Sequence, residues 1–155
     1  MSNFIYIKPP TRRHNFKLYF FTTTSEMSLR RTDTHYFFYP ASKLSPFYKC
    51  TFVEDGIEYA SAEHYTQYQQ AVLFKDEARA AIILGCDDPY RVKRTGRRVT
   101  NFDEDVWREK WAEIVMKGTR LKFEQNPSLL GALSDTGTRT IVEASNTDSI
   151  WGGGT

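Results

Sequence analysis

Apolar positions recur at helical spacing through the middle of the chain and gather into short runs on either side of it. Ser61 is a good N-cap, and residues 62–74 read as a helix whose first turn holds Glu63, where the helix dipole favours a carboxylate. Residues 76–84 read as a second helix, ended by Gly85 and followed by Asp87, Asp88 and Pro89. A longer helix is predicted over residues 103–125, because Trp107, Trp111, Ile114, Gly118 and Leu121 are spaced 4, 3, 4, 3 and form one buried stripe. Asn126 and Pro127 cap and start a short helix over residues 128–133. Strand-like runs are 36–39, ended by Pro40, then 50–53 and 57–59 joined by the turn Glu54-Asp55-Gly56, and 140–144. The pattern predicts a predominantly helical single domain with a few short strands and no internal repeat.

A chain of 155 residues with 40% hydrophobic and 15% aromatic residues carries enough apolar surface to fold without staples, which excludes disordered, collagenous and coiled-coil classes. No run approaches the ~18 apolar residues that would span a bilayer, so no membrane partner is expected. Cys50 and Cys86 stand far apart without a C-x-x-C or a neighbouring His pair. They read as small buried hydrophobes rather than a disulfide or a metal site, in a reducing, cytoplasmic compartment. Charge is uneven: residues 1–35 hold six Lys/Arg and two acids, while the other 120 hold 15 and 17. The first segment, with Pro9-Pro10 and a Thr22-Thr23-Thr24-Ser25 cluster, is expected to be a basic, poorly ordered extension.

Candidate chemistry is sparse. No phosphate-binding glycine loop, dinucleotide fingerprint, zinc-protease, serine-hydrolase or kinase element is present. On the 62–74 helix Glu63, Gln67 and Gln70 share one face, with Tyr65, Tyr68 and Val72 on the apolar side. By spacing alone such a row is ordinarily a solvated surface. Asp148 and Trp151 belong to a loop with Gly152-Gly153-Gly154, which reads either as a chain end or as backbone able to approach a ligand closely. Trp107 and Trp151 are flat enough to stack on a base or cover a sugar, although Trp107 also heads the core stripe. Two carboxylates, Glu63 at a helix start and Asp148 in the glycine loop, suit glycosidic bond cleavage, in which acids protonate a leaving group, activate water or stabilise an oxocarbenium-like transition state.

Ser61-Ala62-Glu63-His64-Tyr65-Thr66-Gln67-Tyr68-Gln69-Gln70 resembles the S-x-E-H-Y-x-Q-x-Q-K signature of the NADAR (YbiA-like) N-glycosidases. Leu44-Ser45-Pro46-Phe47-Tyr48, Gly96-Arg97, Lys122-Phe123-Glu124-Gln125-Asn126-Pro127, Thr136-Gly137, Val142-Glu143-Ala144-Ser145 and Asp148-Ser149-Ile150-Trp151-Gly152 follow the family's other blocks in order, over residues 36–155. The resemblance implies an α+β, mostly helical domain that hydrolyses an N-ribosyl bond with no metal or other cofactor. The substrate class it implies is a ribosylamino-pyrimidine phosphate of riboflavin biosynthesis, or ADP-ribose on guanine, with nucleic acid entering only as modified substrate. It makes Glu63 the principal acid/base and Asp148 the second carboxylate. Trp107, Trp151, Gly152, Gln67, Gln70 and Tyr48 become substrate-binding residues.

Three departures stand out. Gln70 occupies the place of the family's lysine, an amine thought to attack ring-opened ribose, and an amide lacks that nucleophilicity. Pro46 replaces the asparagine of L-S-N-F-Y. The chain stops at Thr155, where the family continues into a final helix, so the resemblance implies a C-terminally truncated domain with impaired activity. A nucleotide-sugar-binding module that has lost its chemistry is the alternative.

Overall fold

The computed structural model describes residues 29–31, 35–38 and 41–143, which carry five helices and five short strands. They fall into two compact units, one of the residues up to 45 together with those from 132 onward, the other of residues 46–131. Asp148, Trp151 and Gly152 lie outside the described residues. So does most of the predicted N-terminal extension.

In the first unit β1 (Leu29–Arg31), β2 (His35–Phe38) and β5 (Thr140–Glu143) form a mixed sheet with β2 in the centre. β1 runs antiparallel to β2 with Leu29 opposite Phe38, and β5 runs parallel to it with His35 opposite Thr140. β1 falls within the stretch that composition assigns to the extension; sheet pairing, which the charge count does not register, gives residues 29–31 a place in the fold. A parallel pair cannot be closed by a tight turn. Here the connection between β2 and β5 is the whole of the second unit.

The second unit opens with the hairpin β3 (Phe52–Glu54) and β4 (Ile57–Tyr59). Asp55 and Gly56 both take positive φ, at 50° and 79°, the geometry that an Asp-Gly turn between twisted strands requires. Four helices follow: α1 (Ala62–Leu73), α2 (Glu77–Leu84), α3 (Pro89–Gly96) and α4 (Glu104–Glu124). α5 (Pro127–Ser134) then leads into the first unit. Each of the first four starts on an oxygen-bearing cap: Ser61, Asp76, Asp88 and Asp103 accept from backbone N–H groups of the first turn. α3 was not among the predicted elements, yet its start signal is plain: Asp88 caps it and Pro89 fills its first position.

α1 is the element on which α2, α3 and α4 all pack. One core cluster, Ala71, Phe74, Ala80, Ile83, Val92 and Val99, joins α1 to α2 and α3. A second, Phe52, Tyr59 and Tyr65, joins the hairpin to α1, with Tyr59 and Tyr65 rings edge-on at 5.0 Å. Gly118 lets α4 approach, for a Cβ there would lie 2.5 Å from the Tyr65 ring. At the end of α4, Gln125 clasps β3 through its carboxamide, accepting from Val53 N (2.9 Å) and donating to Val53 O (2.8 Å). Asn126 donates to Thr51 O at 2.9 Å. The Gln-Asn-Pro block is thereby a structural fastener for a strand edge.

Candidate active site

The chain enters α1 extended, with Ser61 φ at −171° and its hydroxyl accepting from His64 N at 3.0 Å. The neighbouring N–H, that of Glu63, donates to Pro46 O at 3.0 Å, which ties the 46–48 segment to the helix start. Glu63 is 7% exposed and Gln70 8%; Gln67 is half-buried. This corrects the solvated reading of the row. Helical spacing places the three on one face, against which α3 packs through Gly96 at Gln67. The correction extends to the opposite side, where Tyr65 is buried but Val72 is 48% exposed.

Glu63 Oε1 accepts a hydrogen bond from Gln67 Nε2 at 2.9 Å, one helical turn away. The other carboxamide atom, Gln67 Oε1, is buried with no partner among the described residues. It lies against Gly96 of α3, where a Cβ would overlap it. The glycine of the Gly-Arg pair therefore backs the Gln67 side chain that holds Glu63. Among the described residues the Gln70 carboxamide has no hydrogen-bond partner either. The face thus presents a buried carboxylate, a buried carbonyl oxygen with unused acceptor capacity, and a second amide, which together suit a ligand rich in N–H and O–H donors.

Two neighbouring ionisable groups are shaped by burial. His64, on the next position round the helix, accepts from Ala60 N through Nδ1 at 3.0 Å, which fixes the proton of the neutral ring on Nε2. Loss of water holds its pKa below the ordinary histidine value, opposed by the Ile83 carbonyl and by Asp87. Lys122 is 1% exposed, with Nζ 5.7 Å from the Tyr48 ring centroid and 5.0 Å from that of Phe123. Burial lowers its pKa to about 8, against a smaller opposing effect of Cys50. Lys122 opens the Lys-Phe-Glu-Gln-Asn-Pro motif, and its burial is visible only in the structure. The only hint in the sequence is that Lys122 follows Gly118 by one turn, beside the buried stripe.

Of the predicted site residues, the structure joins Glu63, Gln67 and Gln70 on one buried face and attaches to it the segment bearing Tyr48, which is half-buried. Trp107 is half-buried at the edge of the Ala71–Val99 cluster, 6.5 Å from Phe102, the position its place at the head of the stripe predicts. A cavity of about 260 Å3 opens elsewhere, lined by Glu58, Ala60, His64, Leu84, Gly85, Cys86 and Asp87, and none of the predicted site residues that the structure describes lines it. Cys50 and Cys86 are free and half-buried. Among the described residues no cluster of three His, Cys, Asp or Glu is placed to hold a metal ion, and no helix is long and apolar enough to cross a membrane.

A family model for the NADAR domain matches residues 29–155. The chain belongs to the NADAR domain family. An N-glycosidase of Acanthamoeba polyphaga mimivirus is 40% identical over 133 residues, 78% of this chain and 78% of that protein. A riboflavin biosynthesis protein of Vibrio vulnificus is 30% identical over 122 residues, 77% of this chain but 32% of that longer protein. The NMR structure of the Escherichia coli protein YbiA superposes with a TM-score of 0.68 and 28% identity, covering 83% of this chain and 77% of that one. That likeness confirms the α+β, mostly helical NADAR fold. The match from residue 29 also takes in β1, seven residues ahead of the start at residue 36 that the motifs carry.

Proposed function

We propose that this chain is an N-glycosyl hydrolase that cleaves an N-ribosyl bond, with Glu63 as its principal acid/base. The observation that carries the reading is the Glu63–Gln67 pair, a carboxylate buried at the start of a helix and oriented by a neighbouring amide. The mimivirus relative, named an N-glycosidase, supports it. In this reading Glu63 delivers a proton to the departing base nitrogen or takes one from the attacking water, and a second carboxylate, Asp148, offsets the positive charge that develops on the sugar. Trp107 and Trp151 flank base and sugar, Gly152 lets backbone approach them, and Gln67, Gln70 and Tyr48 complete the binding surface. The substrate class is a ribosylamino-pyrimidine phosphate, for which the Vibrio relative's name is the support, or ADP-ribosylated guanine.

Incubation with each substrate, with release of the base followed by chromatography, tests the assignment. Glu63→Gln should lower turnover by about 10²–10⁴-fold, the usual contribution of one acid/base group. Undiminished turnover in that variant overturns the role of Glu63. Gln70 favours a second reading, a pocket that binds nucleotide sugars without cleaving them. Heat of binding to ADP-ribose with no turnover of either substrate would select it.

A further inference from the structure

α3 presents three stripes, each spaced i, i+3, i+7. Pro89, Val92 and Gly96 are buried against the core. Tyr90, Lys93 and Arg97 form a second stripe, and Arg91, Arg94 and Arg98 a third. Arg98 lies in the turn that continues the helix, its N–H donating to Thr95 O at 3.0 Å. From residue 89 to 98, five of ten side chains are Lys or Arg and none is acidic. The acids that flank the helix are engaged: Asp87 pairs with Lys49 at 3.1 Å, and Asp88 caps α3 through Tyr90 N and Arg91 N. Among the described residues, Arg91, Arg94, Arg97 and Arg98 are exposed and make no ion pair.

An aromatic platform adjoins the guanidinium row. Tyr90 is 62% exposed, and its ring meets Phe47 at 5.0 Å, with Lys93 Nζ 5.1 Å above the Phe47 ring. An unpaired nucleobase can stack on the exposed part of the Tyr90 ring while its phosphates meet the arginines. Arg91 to Arg98 spans about 10 Å at 1.5 Å per residue, the length of roughly three consecutive phosphates. The face is also joined to the site: Gly96 backs Gln67, and Phe47 lies next to Pro46, whose carbonyl holds Glu63 N–H.

We infer that the exposed face of α3 binds the backbone of single-stranded nucleic acid, with Tyr90, backed by Phe47, as the base-stacking surface beside Arg91, Arg94 and Arg98. Recognition is independent of sequence, because the face offers cations and an aromatic plane and no fixed pattern of donors for base edges.

The test is fluorescence anisotropy of the full chain with a labelled, unmodified 20-nucleotide single strand between 50 and 200 mM salt. A dissociation constant on the order of 1–100 µM at physiological salt is expected, weakening as salt rises. R91E/R94E/R98E should lose at least tenfold in affinity. R91Q/R94Q/R98Q, the gentler change, should lower the slope of log affinity against log salt by about 2. Tyr90→Ala should weaken binding about fivefold or more. Circular dichroism confirms that each variant is folded. Absent or salt-independent binding, equal affinity in the folded charge variants, equal affinity for the matching duplex, or tighter capture by phosphatidylserine vesicles overturns the assignment. Turnover is not read, and Glu63→Gln protein serves equally, so failure here leaves the glycosidase reading standing.

Discussion

Gln70 carries a carboxamide where the family signature it resembles has a lysine amine, and its position decides what that difference does. It is 8% exposed, one turn beyond Gln67 on the face that carries Glu63. A lysine there would be an amine in a largely desolvated site, where the neutral, nucleophilic form is favoured. Gln70→Lys should therefore gain turnover on ribosylated substrate. Borohydride should then trap a covalent sugar adduct, formed when the amine adds to the open-chain aldehyde and water leaves. Mass spectrometry checks for it, and an active Gln70→Lys chain without adduct would rule out covalent participation at this position. Residue identity was legible at this scale: Glu63, Gln67 and Gln70 were chosen from sequence. Their burial was not, because a Glu-Gln-Gln row has the same spacing on a solvated face and on one packed against another helix.

Between elements, α3 meets α1 at Gly96 with no room for a side chain. Gly96 carries no side chain where a methyl would overlap Gln67 Oε1, so Gly96→Ala forces either the helix or the Gln67 rotamer to move. Overpacking of this kind costs about 1–3 kcal/mol, and here it also disturbs the hydrogen bond to Glu63. Thermal unfolding should show a lowered midpoint, and turnover should fall further than the small loss of folded protein explains. Full activity in Gly96→Ala would show that Gln67 does not position Glu63. Element prediction succeeded where a cap, a stop signal or an apolar stripe was read, as for α1, α2 and α4 respectively. It failed at α3, an eight-residue helix whose arginine-rich surface leaves only Pro89, Val92 and Gly96 as an apolar trace.

For the molecule as a whole, the buried amine of Lys122 couples folding to pH. Its folded pKa of about 8 lies below the ordinary 10.5. Below pH 8 the folded and unfolded chains both hold the proton, and between 8 and 10.5 only the unfolded chain does. This group therefore adds stability as pH rises through that window, by about 3 kcal/mol at 1.36 kcal/mol per unit. Cys50 and Tyr59, whose burial raises their pKa values, act in the opposite direction, so the contribution is read by difference. Denaturant unfolding of the native chain and of Lys122→Met from pH 7 to 11 should diverge upward in favour of the native chain; parallel curves would place Lys122 in contact with water. By itself the sequence determined the helical character, the caps, the Asp-Gly hairpin and the carboxylate that heads the candidate chemistry, since propensity, capping and short-range spacing act over a few residues. Tertiary structure alone decided which polar face α3 packs against, that a lysine belongs to the core, and that a glycine in one helix holds an amide in another, because each depends on neighbours that sequence distance does not encode.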